Sequence, residues 1–215
     1  MALTESPSEK WFNMVRDFHD LFDHPVARRG TVILSEKSRA GRGAWLLEEL
    51  MEFVAAESLI EQVDAIIDFL YFCFGNFVAI GVVPAYLDHE LPDTDNMCPT
   101  AMQFAHRVSF AQRAAESVFE FMHSDTLRGQ RDFSGDMGRT MLRCMKVMQV
   151  DPRGLFEIIH ESNMGKLWPD GKPRYGDFGK VIKPVTWEPP EPDMLRELGR
   201  RTKAWQEKYG DDIPF

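Results

Sequence analysis

Seven acidic side chains and no basic one fall within residues 48–68, EELMEFVAAESLIEQVDAIID. At helical spacing Glu48, Glu49 and Glu52 share one face, with Leu46, Leu47, Leu50, Phe53 and Val54 behind them. Asp64 and Asp68 form an i, i+4 pair, with Glu61 one turn earlier on the same side. The residues around the aspartates (Ile66, Ile67, Phe69, Leu70, Tyr71, Phe72, Phe74) make that helix apolar nearly all round, the mark of a buried helix. A carboxylate inside such a helix is costly unless it is paired or metal-bound, and no basic residue lies nearby in sequence. Oxygen donors without cysteine or histidine favour a hard cation, Mg²⁺ or Mn²⁺, and hence a phosphorylated substrate. The competing reading of Glu48, Glu49 and Glu52 is a solvated helix face. For Glu61 it is a capping partner of Ser58, equal in weight to a ligand role. Glu57 points off the face.

These carboxylates meet only if the chain turns between them. Residues 44–74 contain neither Gly nor Pro, so a single long helix is the simplest reading. It would aim the two clusters roughly 160° apart. Ser58-Leu-Ile-Glu61 has the form of a capping box and marks a fresh helix start, so a hairpin at 56–59 is expected. The second arm runs to about Ile80, stopped by Gly81 and Pro84. Upstream, Trp11, Phe12, Val15, Phe18, Leu21 and Phe22 predict a helix over 8–22, followed by a polar loop to Gly43. Downstream, residues 85–99 read as loop. Helices are expected over 100–122, 136–148, 151–162 and 193–209, with an irregular basic segment over 163–192. No convincing strand alternation is present, and the fold class is all-α.

At this point the sequence resembles the all-alpha NTP pyrophosphatase superfamily, the MazG-like and phosphoribosyl-ATP pyrophosphohydrolase-like proteins. Glu48-Glu49-Leu-Met-Glu52 matches the family's EExxE, and Asp68-Phe-Leu-Tyr71…Gly75…Gly81 looks like its D-L-L-Y-V…G…G run. The glutamate expected three residues before Asp68 is Ala65, and Asp64 is its nearest substitute. Further on, His160…Asn163…Lys166, Asp170-Gly-Lys172 and Gly179-Lys180-Val-Ile-Lys183-Pro follow the order of the phosphoribosyl-ATP pyrophosphohydrolase-like members.

The resemblance implies an antiparallel helical bundle in one all-α domain. Its core is 8–84 and 150–192, a helical insertion occupies 85–149, and a C-terminal helix spans 193–209. It implies hydrolysis of a nucleoside triphosphate to monophosphate and pyrophosphate. Glu49, Glu52, Asp64 and Asp68 would hold Mg²⁺ (or Mn²⁺), with Glu61 a further candidate ligand, and Glu48 or Glu49 would orient or deprotonate water. Arg42, Asn163, Lys166, Lys180 and Lys183 would contact substrate. Trp11, Phe12, Phe72, Phe77 and Trp168 are candidates for a base slot, against the plainer reading that they are core. Relatives form dimers or tetramers, so a homodimer is expected.

Other function classes weigh less. Glu120-Phe-Met-His123 and Glu157-Ile-Ile-His160 are two ExxH pairs of the kind used by di-iron bundles, but 136–148 lacks the expected glutamate. A non-enzymatic helical dimerisation module would leave the acidic face exposed and metal-free. With 34 acidic against 25 basic residues the net charge is -9, which disfavours nucleic acid as a partner. Three cysteines without CxxC spacing fit a reducing cytoplasm rather than a disulfide or zinc framework. The opening residues lack the pattern of a secretory signal. The longest apolar stretch, 69–84, is interrupted by Gly75, Asn76 and Gly81, so no membrane span is expected.

Overall fold

The computed structural model describes residues 5–93, 97–176 and 179–199. Six α-helices follow in chain order: α1 (Pro7–Leu21), α2 (Glu36–Ala55), α3 (Leu59–Ile80), α4 (Phe104–His123), α5 (Leu127–Val147) and α6 (Pro152–Met164). A short 3₁₀ turn (Ala85–Glu90) follows α3. Residues 191–199 are helical as well, and the rest of the expected C-terminal helix lies outside the described residues. Among the described residues the β pairing is a single isolated bridge between Tyr175 and Val181.

The expected hairpin forms. α2 stops at Ala55, and Ser58 accepts the backbone N–H of Glu61 while the Glu61 carboxylate accepts that of Ser58. Gly81, at φ 75°, closes the other end of α3. Asp151 caps α6, with Pro152 at its first position, as the sequence suggested.

Two helices begin earlier than expected, inside stretches that lie outside the expected helices. α2 begins a full two turns before Gly43, at the N-cap Ser35, whose hydroxyl accepts the Ser38 N–H. Gly41 and Gly43 cost helix propensity, about 1 kcal/mol each relative to Ala. At Gly43 the reason is packing: a Cβ there would stand 2.4 Å from Met122 of α4, so the missing side chain lets the two helices approach. α5 likewise starts at Leu127 behind the cap Thr126, nine residues before the expected 136. α4 starts later than expected. Buried Gln62 clamps the extended segment before it, donating to the Met102 carbonyl (3.2 Å) and accepting the Met102 N–H (2.7 Å).

α3 is the central post, packed against α1, α2, α5 and α6. By length and composition α3 could cross a membrane, but 83% of its most apolar window is buried inside this fold. Trp11 stacks on Phe156 and meets Phe74 edge-on, tying α1, α3 and α6 together. Trp11, Phe12 and Phe77 are thus core, which removes them from the base-slot candidates. The 85–149 segment is not a peripheral addition: α4 covers α2 and α5 covers α3.

Candidate active site

One face of each arm of the hairpin opens into a cavity of about 220 Å³. α2 sends Arg42, Trp45, Glu49 and Glu52 to it, at i, i+3, i+7 and i+10. α3 sends Asp64, Asp68, Tyr71, Phe72 and Gly75, at i, i+4, i+7, i+8 and i+11. Phe18 and His19 of α1, together with His24, line the inner end. Asn163 and Lys166, with the loop carrying Gly179, Lys180 and Lys183, line the far wall. Residues more than a hundred positions apart therefore surround one space, with carboxylates on one side and lysines on the other.

The carboxylates are held at high electrostatic cost. Burial and then the charges of Asp68, Glu52 and Glu48 push the Glu49 carboxyl up to about 9. Asp64 is pushed up to about 7, first by burial and then by Asp68. Asp68 is raised by burial, against which Lys166 pulls. Glu49 Oε2 and Asp64 Oδ1 are buried with no hydrogen-bond partner. A solvated helix face has neither property, and neither does an exposed docking surface. Among the described residues, no three histidine, cysteine, aspartate or glutamate side chains converge as a metal cage as they stand. The donor set is nevertheless all oxygen, and its orphaned oxygens fit a hard cation.

Two sequence candidates lie elsewhere. Glu61 does not reach the cavity: it is exposed, and its Oε2 accepts the backbone N–H groups of Glu57 (2.8 Å) and Ser58 (2.9 Å). Those bonds hold its pKa below the usual carboxylate range. Of the two readings, the structure gives it the cap. Glu61→Ala is therefore expected to lower Tm by a few degrees in a thermal melt while leaving kcat/KM unchanged. Glu48 turns out of the cavity to pair with Lys180 at 2.6 Å, beside a neighbouring cleft that both residues line. That pairing raises the Lys180 pKa.

The lysine wall is ordered by short contacts. Lys166 Nζ donates to Asn163 Oδ1 at 2.5 Å, and burial lowers its pKa. Lys183 stands 3.7 Å over the Trp187 ring. Trp168, a proposed base-slot residue, instead donates to the Ile182 carbonyl and lies under Arg174.

At the inner end Arg42 donates through Nε to Asn76 Oδ1 and is buried away from any carboxylate partner among the described residues. Burial lowers its pKa to about 10. Gly75 makes this placement possible, since a Cβ there would fall 2.3 Å from Arg42 and 3.0 Å from His19. Burial, then Arg42, lowers His24 to about 4, and the same causes depress His19, so both rings are neutral near pH 7. Phe18 stacks on His24, and Trp45 leans on Phe72 at 5.5 Å.

Of these residues, Tyr71, Phe18, His19, His24 and Trp45 were not singled out as site residues from sequence. Tyr71 carried a signal, since it lies three positions after Asp68 on the same helix. Its hydroxyl meets His160 Nδ1 at 2.9 Å, which gives that histidine a structural partner. The two ExxH pairs do not combine. Glu157 pairs with Lys10, and His123 bonds the Phe119 carbonyl of its own helix. α4 packs on α2 and α5, whereas α6 packs on α1 and α3.

Residues 15–92 match the family model of phosphoribosyl-ATP pyrophosphohydrolase. That stretch, about a third of the chain, is similar to that family. The matched stretch holds the carboxylates of α2 and α3 and stops well short of Asn163, Lys166, Lys180 and Lys183. The crystal structure of a candidate NTP pyrophosphohydrolase from Exiguobacterium sp. 255-15 is similar over 90% of this chain and 96% of its own, at 24% identity and a TM-score of 0.45. No curated protein matches the chain.

Proposed function

We propose that this protein is a divalent-cation-dependent nucleotide pyrophosphohydrolase that converts a nucleoside triphosphate, or a related nucleotide, to the monophosphate and pyrophosphate. The observation that carries the reading is the pair of buried, unpartnered carboxylate oxygens on Glu49 and Asp64, facing Lys166, Lys180 and Lys183 across one cavity. The family match over 15–92 supports the reaction class.

Glu49, Glu52, Asp64 and Asp68 would hold Mg²⁺ or Mn²⁺, which when bound neutralises phosphate oxygens and lowers the pKa of a water ligand. Lys166 and Lys183 face the phosphates as point charges and stabilise the departing pyrophosphate. Lys180 takes part by exchanging its Glu48 partner for a phosphate oxygen. Glu48, freed by that exchange, is the carboxylate available to orient water or take its proton. Asn163 keeps Lys166 aimed at the cavity. The base enters between Phe18, His24, Trp45 and Phe72, with Arg42 beneath it as a fixed donor.

The test is a panel of NTPs and dNTPs with Mg²⁺ or Mn²⁺, with pyrophosphate and orthophosphate scored separately. Pyrophosphate from at least one nucleotide, abolished by EDTA, is expected. Orthophosphate alone, or no product in a protein that also fails to bind Mn²⁺, overturns the reading.

A further inference from the structure

Arg42 is a buried cation without an anion among the described residues. It is only 6% exposed and lines the inner end of the cavity. Its Nε donates to Asn76 Oδ1, and Asn76, itself fully buried, donates to Ser134 Oγ of α5 at 3.4 Å, so the guanidinium is fixed in place. Its two terminal nitrogens find no acceptor among the described residues, although the side chain lines the cavity. A guanidinium in that state is costly unless a ligand accepts from it.

His19 stands beside it with the opposite capacity. Its Nδ1 lies 2.8 Å from the Pro25 carbonyl, which can only accept, so the proton sits on Nδ1. Burial and the neighbouring guanidinium keep the ring neutral, which leaves Nε2 as a lone-pair acceptor with no donor among the described residues. Both side chains stand over the gap left by Gly75: a Cβ there would lie 2.3 Å from Arg42 Nη2 and 3.0 Å from His19 Nε2. The surrounding walls are ring faces, with Phe18 and His24 stacked at 5.6 Å and Trp45 against Phe72 at 5.5 Å. A flat heterocycle bounded by these walls meets a donor and an acceptor side by side at its edge.

We propose that Arg42 and His19 read the edge of the substrate base and select a ring carbonyl beside a ring N–H, the edge of uracil, thymine and hypoxanthine. This rests on the reading of the cavity as a nucleotide site. The ring N–H donates to His19 Nε2, and the carbonyl oxygen, with two lone pairs, accepts from Arg42. Adenine and cytosine put an amino group and a bare ring nitrogen at that edge. Turned to satisfy both residues, they keep a second amino hydrogen without an acceptor. That orphaned donor is what the site discriminates against.

The test uses the full chain with Mg²⁺ and two isosteric pairs, inosine against adenosine and uridine against cytidine nucleotides, which differ only at this edge. Binding of the monophosphates is followed by calorimetry, and pyrophosphate release from the triphosphates by kinetics. IMP and UMP are expected to bind about tenfold or more tighter than AMP and CMP, and kcat/KM for ITP and UTP to exceed that for ATP and CTP by a similar factor. His19→Asn keeps an N–H for the Pro25 carbonyl and removes the Nε2 acceptor, so it brings both ratios toward one. A merely structural His19 would lower affinity for all four alike and leave the ratios unchanged, which overturns the assignment. Equal affinities within each pair in the unsubstituted protein overturn the inference, while pyrophosphate release then leaves the functional reading standing. Base-dependent binding of the monophosphates, without pyrophosphate release from any triphosphate, upholds the base site and overturns only the reaction. Failure to bind any nucleotide overturns both.

Discussion

Glu49→Gln is expected to abolish the proposed pyrophosphate release, lowering kcat/KM about a thousandfold or more, and at the same time to make the metal-free protein more stable. Both effects follow from the same surroundings. Glu49 is buried, its Oε2 has no donor, and Asp68, Glu52 and Glu48 all act on it with like charge. Glutamine keeps the shape and removes the charge, so the proposed cation would lose a ligand. In the unfolded chain Glu49 ionises near 4.5, whereas in the fold it keeps its proton to about 9. Folding at neutral pH therefore requires proton uptake by this group, and glutamine removes that requirement. The gain in stability is absent below about pH 4.5 and grows up to about pH 9. Kinetic assays with chemical denaturation at pH 8 check both halves. A Glu49→Gln protein that retains activity, or that is less stable without metal, contradicts the assignment.

The second expected result concerns the unsubstituted protein. Without metal, its stability falls as pH rises from about 5 to about 9, and Mg²⁺ or Mn²⁺ reverses the trend. The folded-state pKa values of Glu49 and Asp64, about 9 and about 7, lie above their ordinary values. Across that window the folded state binds more protons than the unfolded state, so raising the pH favours unfolding. A cation binds the deprotonated carboxylates and competes with those protons, so its affinity climbs over the same range. At a hundred times its Kd a cation adds about 2.7 kcal/mol, which for a chain of this size raises Tm by about 5–10 °C. Thermal melts at pH 5.5, 7 and 8.5, with and without Mn²⁺, measure the effect. A metal-free Tm that rises with pH, or a cation shift that shrinks with pH, would reverse the assigned sign.

The local parts of this protein were readable from its residues. The hairpin at 56–59, the caps at Ser58 and Asp151, the stop at Gly81, and the shared face of Asp64 and Asp68 all follow from contacts within a turn or two of chain. The errors also have local causes. The 36–43 and 127–135 stretches look like loops because they are rich in Gly, Ser and Arg, and propensity disfavours a helix there. Packing overrode it: Gly43 lies under Met122, and Arg39 donates to the Met122 and Leu34 carbonyls.

Within the site, residue types and spacing were enough to nominate Glu49, Glu52, Asp64 and Asp68, because one helical face is a local property. The same pattern could not separate Glu48 from Glu49. Adjacent residues diverge by about 100°, and only the arrival of Lys180 from 132 positions away draws Glu48 outward. Nor could it separate the cap from the ligand at Glu61, since both need the same residue at the same place. His24 carries no periodic or motif signal at all. Its place, like that of Asn163 and Lys166, depends on distant segments converging on the α2–α3 hairpin, and that convergence is set by burial of Trp11 and Phe156 in a common core. Side-chain chemistry and helical phase are inherited from neighbours in the chain. Which charges end up facing each other across a cavity is decided by long-range packing, which no local pattern encodes.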